Sequence, residues 1–411
     1  EITSQSIDSL VDKMPLKLNL NWCRGGSRRN NAGDAEAAMQ KHFQAGATPP
    51  ATGDTAIKRL QELENYYQVD WSQQGFLGRG HFAEVYRGVD IRNGTKVAVK
   101  RISRQNQDVR TLRQEIAALL KVNGHPNIVK LYDVFIDQNL VILCMELLEG
   151  GELFSRVVTS GAYSERDASR HFCRITQALE FMHKHGIVHR DLKPENLVLT
   201  TEDPDSDIKI SDFGLSKVLG EDQSVMYTVC GTSAYAAPEV GLSSNYDSKV
   251  DTWSLGVILF VVLAAYHPFD PYGRLDDMGL RTAVCNFQWD FKDKVWDKMS
   301  TDVKDLISKL IAPVDERLDA TQVLQHPWIT KYQDLPSRPL NELSTRSLRQ
   351  FVSSTAFGMQ GTVDENQPFV EFDDDVMMDD NDIEPLPFDN NHTTHEHATQ
   401  DHMYNQQVQH T

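Results

Sequence analysis

Two glycines, Gly78 and Gly80, stand in LGRGHFAEVYRG (Leu77 to Gly88), where missing side chains would let backbone amides from Gly78 to Phe82 approach a phosphate. Such spacing also arises by chance in ordinary turns. Order along the chain narrows the choice. After the glycines comes EVYRGVD, which reads as a strand, then a turn at Asn93 and Gly94, then VAVK ending on Lys100. A Walker loop carries its lysine inside the loop and opens a helix, and a dinucleotide site also follows its glycines with a helix. Neither fits a glycine loop flanked by strands with a lysine on the third.

Three more motifs follow: HRDLKPEN from His189 to Asn196, DFG from Asp212 to Gly214, and APE from Ala237 to Glu239. Together with the glycine loop and VAVK they match, in order and spacing, the signature set of protein kinases. The stretch from about Tyr67 to Ile329 therefore resembles a complete eukaryotic protein kinase domain. MELLEGGELFSRVV from Met145, FGLSK from Phe213 and LQHPWI from Leu324 resemble the calcium/calmodulin-dependent group. TVCGT and LTTEDPDSDIKISDFG are similar to checkpoint effector kinases and to calmodulin-dependent kinases alike, and the sequence does not divide the two.

The resemblance implies a fold and a set of roles. The fold is α+β and bilobal, with a strand-rich N-lobe over 68–146 and a helical C-lobe over 147–330. ATP and Mg²⁺ are the implied cofactors, and Ser or Thr of protein substrates the acceptor, with Lys193 and GTSAY pointing away from tyrosine kinases. Nucleotide contacts would come from Leu77, Gly78, Arg79, Gly80, His81, Phe82, Val85, Ala98, Lys100, Met145, Glu146, Leu147 and Val198, with Met145 as gatekeeper. Ala83 takes the place of the third glycine, which stiffens the loop. Lys100 would hold the α- and β-phosphates and be held by Glu115. Asp191 would orient the substrate hydroxyl and accept its proton, Lys193 would steady the transferring group, and Asn196 and Asp212 would hold the metal.

On the substrate side, Glu152 and Glu195 stand where relatives receive an arginine three residues before the acceptor, and Thr232 would face Asp191 and Lys193. Ser233 occupies a place often filled by proline. Thr228 is the expected activating phosphorylation site, with Arg190 as the dock for its phosphate and an upstream kinase as its partner. Leu119, Leu131, His189 and Phe213 would stack as a spine, Asp251 would brace the catalytic loop, and Arg317 would pair with Glu239.

The elements that carry these residues follow from patterning. Strand-like stretches cluster between Gln68 and Leu147, broken by one helical pattern with Val109, Leu112, Ile116 and Leu119 on one side. Helices dominate from Glu152 to Trp328, and LGVILFVVLAAY reads as a buried helix rather than a membrane span. Residues 1–54 read as a flexible arm. Over 55–67, Ile57, Leu60, Leu63 and Tyr67 recur at helical spacing and predict a short amphipathic helix.

Residues 331–411 read as a regulatory or disordered acidic tail. Phe351 to Thr411 holds 13 acidic residues and no Lys or Arg, so most of the net charge of −18 belongs there and the body lacks the basic bias of a nucleic-acid binder. NELSTRSLRQFVSS, with only Arg346 and Arg349 basic, reads as an ordinary stretch before it reads as a pseudosubstrate or a calmodulin-binding helix. Five scattered cysteines without CxxC spacing predict reduced thiols and an intracellular setting, in cytoplasm or nucleus, with no membrane partner. Two readings compete with catalysis: an ATP-binding pseudokinase scaffold, which predicts loss of Lys100, Asp191 or Asp212, and an interaction hub acting through the tail. None of the three residues is lost.

Overall fold

A computed structural model describes residues 56–79, 83–104, 109–160, 164–203, 205–214, 217–218, 233–240 and 247–337. The N-lobe is built on one sheet. Its strands are β1 (Ala56–Arg59), β2 (Tyr67–Val69), β3 (Phe76–Arg79), β4 (Ala83–Asp90), β5 (Thr95–Ser103), β6 (Leu131–Ile136) and β7 (Leu140–Glu146), in the order β1-β6-β7-β5-β4-β2 with β3 also pairing β4. Helix α1 (Val109–Val122) is the expected interruption, and its Leu112, Ile116 and Leu119 are buried. The turn after β4 is held by Asp90 O, which accepts from both Asn93 and Gly94 amides, and Gly94 there has φ +76°.

The helix expected over 55–67 is not what forms. Ala56–Arg59 instead pairs in parallel with β6, and Leu60–Asn65 makes a 3-10 turn. The reason lies in where the apolar residues go. Ile57 packs against the cluster that includes α1, whereas Leu63 and Tyr67 join Val97, Val99, Phe135, Ile142 and Cys144 on the opposite sheet face. A segment wrapping a sheet edge serves two cores, so its three-to-four spacing mimics a single helical stripe. Asp133, 4% exposed, ties this wrap down: it accepts from the Lys58 ammonium, from Tyr67 Oη at 2.7 Å and from Arg92 Nη2 at 3.1 Å.

The C-lobe is helical. It comprises α2 (Leu153–Ser160), α3 (Glu165–Lys184), α4 (Lys249–Ala264), α5 (Asp277–Cys285) and α6 (Thr301–Leu310), with short helices at Ala320–Leu324 and Pro327–Thr330. Between α3 and α4 lie the short strands β8 (Ile187–Val188), β9 (Leu197–Leu199), β10 (Ile208–Ile210) and β11 (Lys217–Val218), paired β9 with β10 and β8 with β11. Every residue from Val250 to Ala264 in α4 is buried, which explains its all-round apolar sequence. A Cβ on Gly256 would lie 2.6 Å from Leu310 Cβ, so glycine sets how closely α4 and α6 approach. Among the described residues no helix is long and apolar enough to cross a membrane.

Candidate active site

Lys100 sits on β5 and Glu115 on α1. Register places Val85, Ala98, Lys100, Leu143 and Met145 on one face of the sheet, because Lys100 pairs Val85 and Leu143 while Ala98 pairs Met145. That face looks toward α1 and the C-lobe strands. Lys100 Nζ lies 2.7 Å from Glu115 Oε1 and 2.9 Å from Asp212 Oδ1. Burial disfavours the ammonium, but the two carboxylates outweigh it and hold Lys100 above the ordinary lysine range. The Lys100 charge in turn brings Asp212 down to about 2 against the opposing effect of burial. One cation thus serves two carboxylates. Asp212 adopts φ +53°, a left-handed turn that the Gly214 amide helps to hold by donating to its Oδ1 at 3.3 Å.

The loop from His189 to Asn196 is fixed from beneath by Asp251 of α4, which is 0% exposed. The amides of His189 and Arg190 donate to its two oxygens at 2.9 and 2.8 Å, with Arg190 at φ +71°. His183 Nε2 meets the same carboxylate at 2.8 Å. Burial would raise the Asp251 pKa, yet these donors hold it below the usual range. Within the loop, Asn196 Nδ2 donates to Asp191 O at 2.8 Å, and Lys193 Nζ stands 3.1 Å from Asp191 Oδ2. Asn196 O accepts the Ser211 amide at 2.9 Å, which brings Asn196 beside the residue preceding Asp212. His189 packs its ring on Phe213 with centroids 5.3 Å apart, and with Leu119, Leu131 and Phe213 it is fully buried.

Around this centre, Val198 on β9 pairs Lys209 and bridges Glu152, so the floor below the sheet adjoins the start of α2. Met145 is packed against the core, and Glu146 at the end of β7 takes an ion pair from Lys209 at 2.9 Å and sends its amide to Lys130 O. Leu147 follows directly, between the lobes. Leu77 and Gly78 lie on β3, and Arg79 spans the glycine loop to Glu84 at 2.6 Å. Gly80, His81, Phe82, Thr228 and Thr232 lie outside the described residues, as do the arm before 56 and the tail after 337.

Glu152 and Glu195 are brought together. Burial and then the Glu195 charge push the Glu152 carboxyl up, and Glu195 Oε2 is buried without a hydrogen bond from any described residue. Arg317, 1% exposed, forks onto Glu239 at 2.5 and 3.1 Å and so anchors the APE segment. Two histidines that hydrogen-bond within the fold, His183 and His267, are marked by no motif in the sequence. Their partners, Asp251 and the Ala234 carbonyl, lie 68 and 33 residues away, so local spacing carried no signal.

The two-lobed fold, the lysine–glutamate–aspartate triad and the Asp251-braced loop define a protein kinase domain. The protein kinase domain family model matches residues 71–329, and the chain belongs to that family, in its serine/threonine, calcium/calmodulin-dependent group. The chain is 38% identical over 308 residues to calcium/calmodulin-dependent protein kinase type IV of Rattus norvegicus, covering 72% of this chain and 63% of that one. It is 42% identical over 260 residues to the type 1 enzyme of Caenorhabditis briggsae (62% and 71%) and 38% identical over 298 residues to myosin light chain kinase A of Dictyostelium discoideum (71% and 96%). The match thus spans less than two thirds of the type IV relatives' length.

Proposed function

We propose that this protein is a serine/threonine protein kinase that transfers the γ-phosphate of ATP to protein substrates. The observation that carries the reading is the assembled Lys100–Glu115–Asp212 triad beside Asp191, Lys193 and Asn196, since phosphoryl transfer depends on positioning and charge neutralisation. Lys100 would bind the α- and β-phosphates, Asp191 would orient the acceptor hydroxyl and take its proton, and Lys193 would neutralise charge on the transferring group. Asp212 and Asn196 offer one carboxylate and one amide oxygen. Such a hard, sparse donor set suits Mg²⁺ completed by nucleotide phosphates rather than a protein cage, and among the described residues no three metal-binding side chains converge. When bound, the metal would neutralise phosphate charge. Asp212→Asn keeps the volume and removes a charged ligand, so it should abolish Mg²⁺-dependent transfer; activity within about tenfold of wild type would refute the assignment.

The finer part of the proposal is a preference for arginine three residues before the acceptor. A carboxylate oxygen of Glu195 buried without a described donor, next to the crowded Glu152, supports it, because a guanidinium would relieve both. Glu195→Gln should erase arginine enrichment at that position in a peptide library. An unchanged profile would sink this part. Thr228 remains the proposed activating site, tested by activity of a preparation shown by mass spectrometry to be unphosphorylated there. Calmodulin is named in relatives, and activity with and without calcium-loaded calmodulin tests that partner here. The free thiols Cys144, Cys173 and Cys285 support placing the protein inside the cell.

A further inference from the structure

The segment Ser233–Val240 is hung from the helical core by three side chains. Ser254 Oγ on α4 donates to Tyr235 O at 2.8 Å, and Arg281 Nη2 on α5 donates to Val240 O at 2.6 Å. The third support is His267, just past the end of α4, where Ala265 turns the chain at φ +66°. His267 is 2% exposed. Its Nε2 is 2.9 Å from Ala234 O and its Nδ1 is 3.3 Å from the Phe269 amide. A carbonyl only accepts and an amide only donates, so both bonds form together in a single protonation state, the neutral imidazole with its proton on Nε2. Its ring also meets those of Tyr235 and Phe269, with centroids 6.1 and 6.0 Å apart.

What hangs there matters because Tyr235 is close enough to Glu195 for that carboxylate to help raise its hydroxyl pKa, after burial. The suspended turn therefore lies within electrostatic reach of Glu195, one of the two acids proposed to receive substrate arginine. Its first residue is Ser233, and a serine does not fix φ as a proline would. Some other restraint must define the turn. The carbonyl one residue on is the atom His267 grips.

From this geometry we propose that His267 is a positioning residue for the peptide substrate, replacing through its bond to Ala234 O the rigidity that a proline at 233 would supply. The inference rests on the kinase reading, and its test separates the two. In His267→Leu, which keeps bulk and loses the donor, KM for a basic serine peptide should rise about tenfold while KM for ATP stays within about twofold. His267→Gln, whose amide donor lies near the Nε2 position, should restore the peptide KM to within about threefold of wild type. Amide hydrogen exchange over 233–240 in the nucleotide-free full chain should quicken in the leucine variant and not in the glutamine variant. If leucine does not fold, His267→Asn, too short to reach Ala234 O, carries the same expectations. Absence of phosphate transfer by the wild type would overturn the kinase reading while leaving the exchange comparison to decide the brace. An unchanged peptide KM, a parallel rise in ATP KM, failure of glutamine to rescue, or unchanged exchange would each overturn the role of His267.

Discussion

Removing the Asp133 carboxylate should cost the N-lobe more than any surface substitution. Asp133→Ala leaves the Tyr67 hydroxyl, on a side chain 1% exposed, and the Lys58 ammonium, 14% exposed, without their shared acceptor. Breaking a buried ion pair costs about 3–5 kcal/mol, and one stranded buried donor about 1–3 kcal/mol. Arg92 is 44% exposed and keeps its fork on Asp90, so its share is small. The balance sits near the bottom of the ion-pair range, about 3 kcal/mol, or a fall in Tm of roughly 5–10 °C for a domain of this size. Asp133→Asn retains an acceptor and should lose about half as much. Urea unfolding of the full chain, followed by tryptophan fluorescence, reads both variants. A loss below about 0.5 kcal/mol for alanine would show that β1 is not clamped to β6 by this carboxylate, and the reasoning would fall.

Arg317→Leu should destabilise the C-lobe by about 3–5 kcal/mol, since it strands Glu239 together with the Ala312 and Lys249 carbonyls, and Arg317→Lys should not rescue it because the lysine cannot fork; calorimetry checks both. Burial lowers His125 and His267 to about 4 and His171 to about 3. Unfolding frees each to take a proton between its folded value and the ordinary 6.5, so stability should fall as pH drops through that window, by at most about 1.4 kcal/mol per pH unit for each histidine; urea midpoints at pH 7 and pH 5 that coincide would contradict this. Asp212 acts in the same direction but in a lower window: depressed to about 2, its stabilising contribution is complete above the ordinary 3.8 and fades only as pH falls toward 2, so an Asp212→Asn protein should lose no less stability on going from pH 7 to pH 5 than wild type.

The parts that were readable from sequence are those encoded over short spans. Lys100 follows the β-branched valines of VAV within β5, and Glu115 stands on a helix whose apolar side is marked by Leu112, Ile116 and Leu119, so periodicity alone set both elements. Asp191, Lys193 and Asn196 share one loop of six residues, and its order carries their relation. The N-terminal segment misled because Ile57 and Leu63 serve opposite faces of a sheet, a fact no one-dimensional period records. His267 was hidden for a related reason: its bond to Ala234 depends on the turn at Ala265, which follows an apolar helix with no glycine at its end to announce a left-handed residue.

The central claim is that Asp191, Lys193, Asn196 and the Lys100–Glu115–Asp212 triad together move a phosphoryl group. It is tested most directly by incubating the full chain with ATP, Mg²⁺ and a peptide carrying one serine and an arginine three residues before it, then locating any added phosphate by mass spectrometry beside an Asp191→Asn control. The account predicts one phosphate on that serine with wild type and a loss of at least about a hundredfold in rate with the variant. No transfer by wild type, or equal transfer by both proteins, would contradict it.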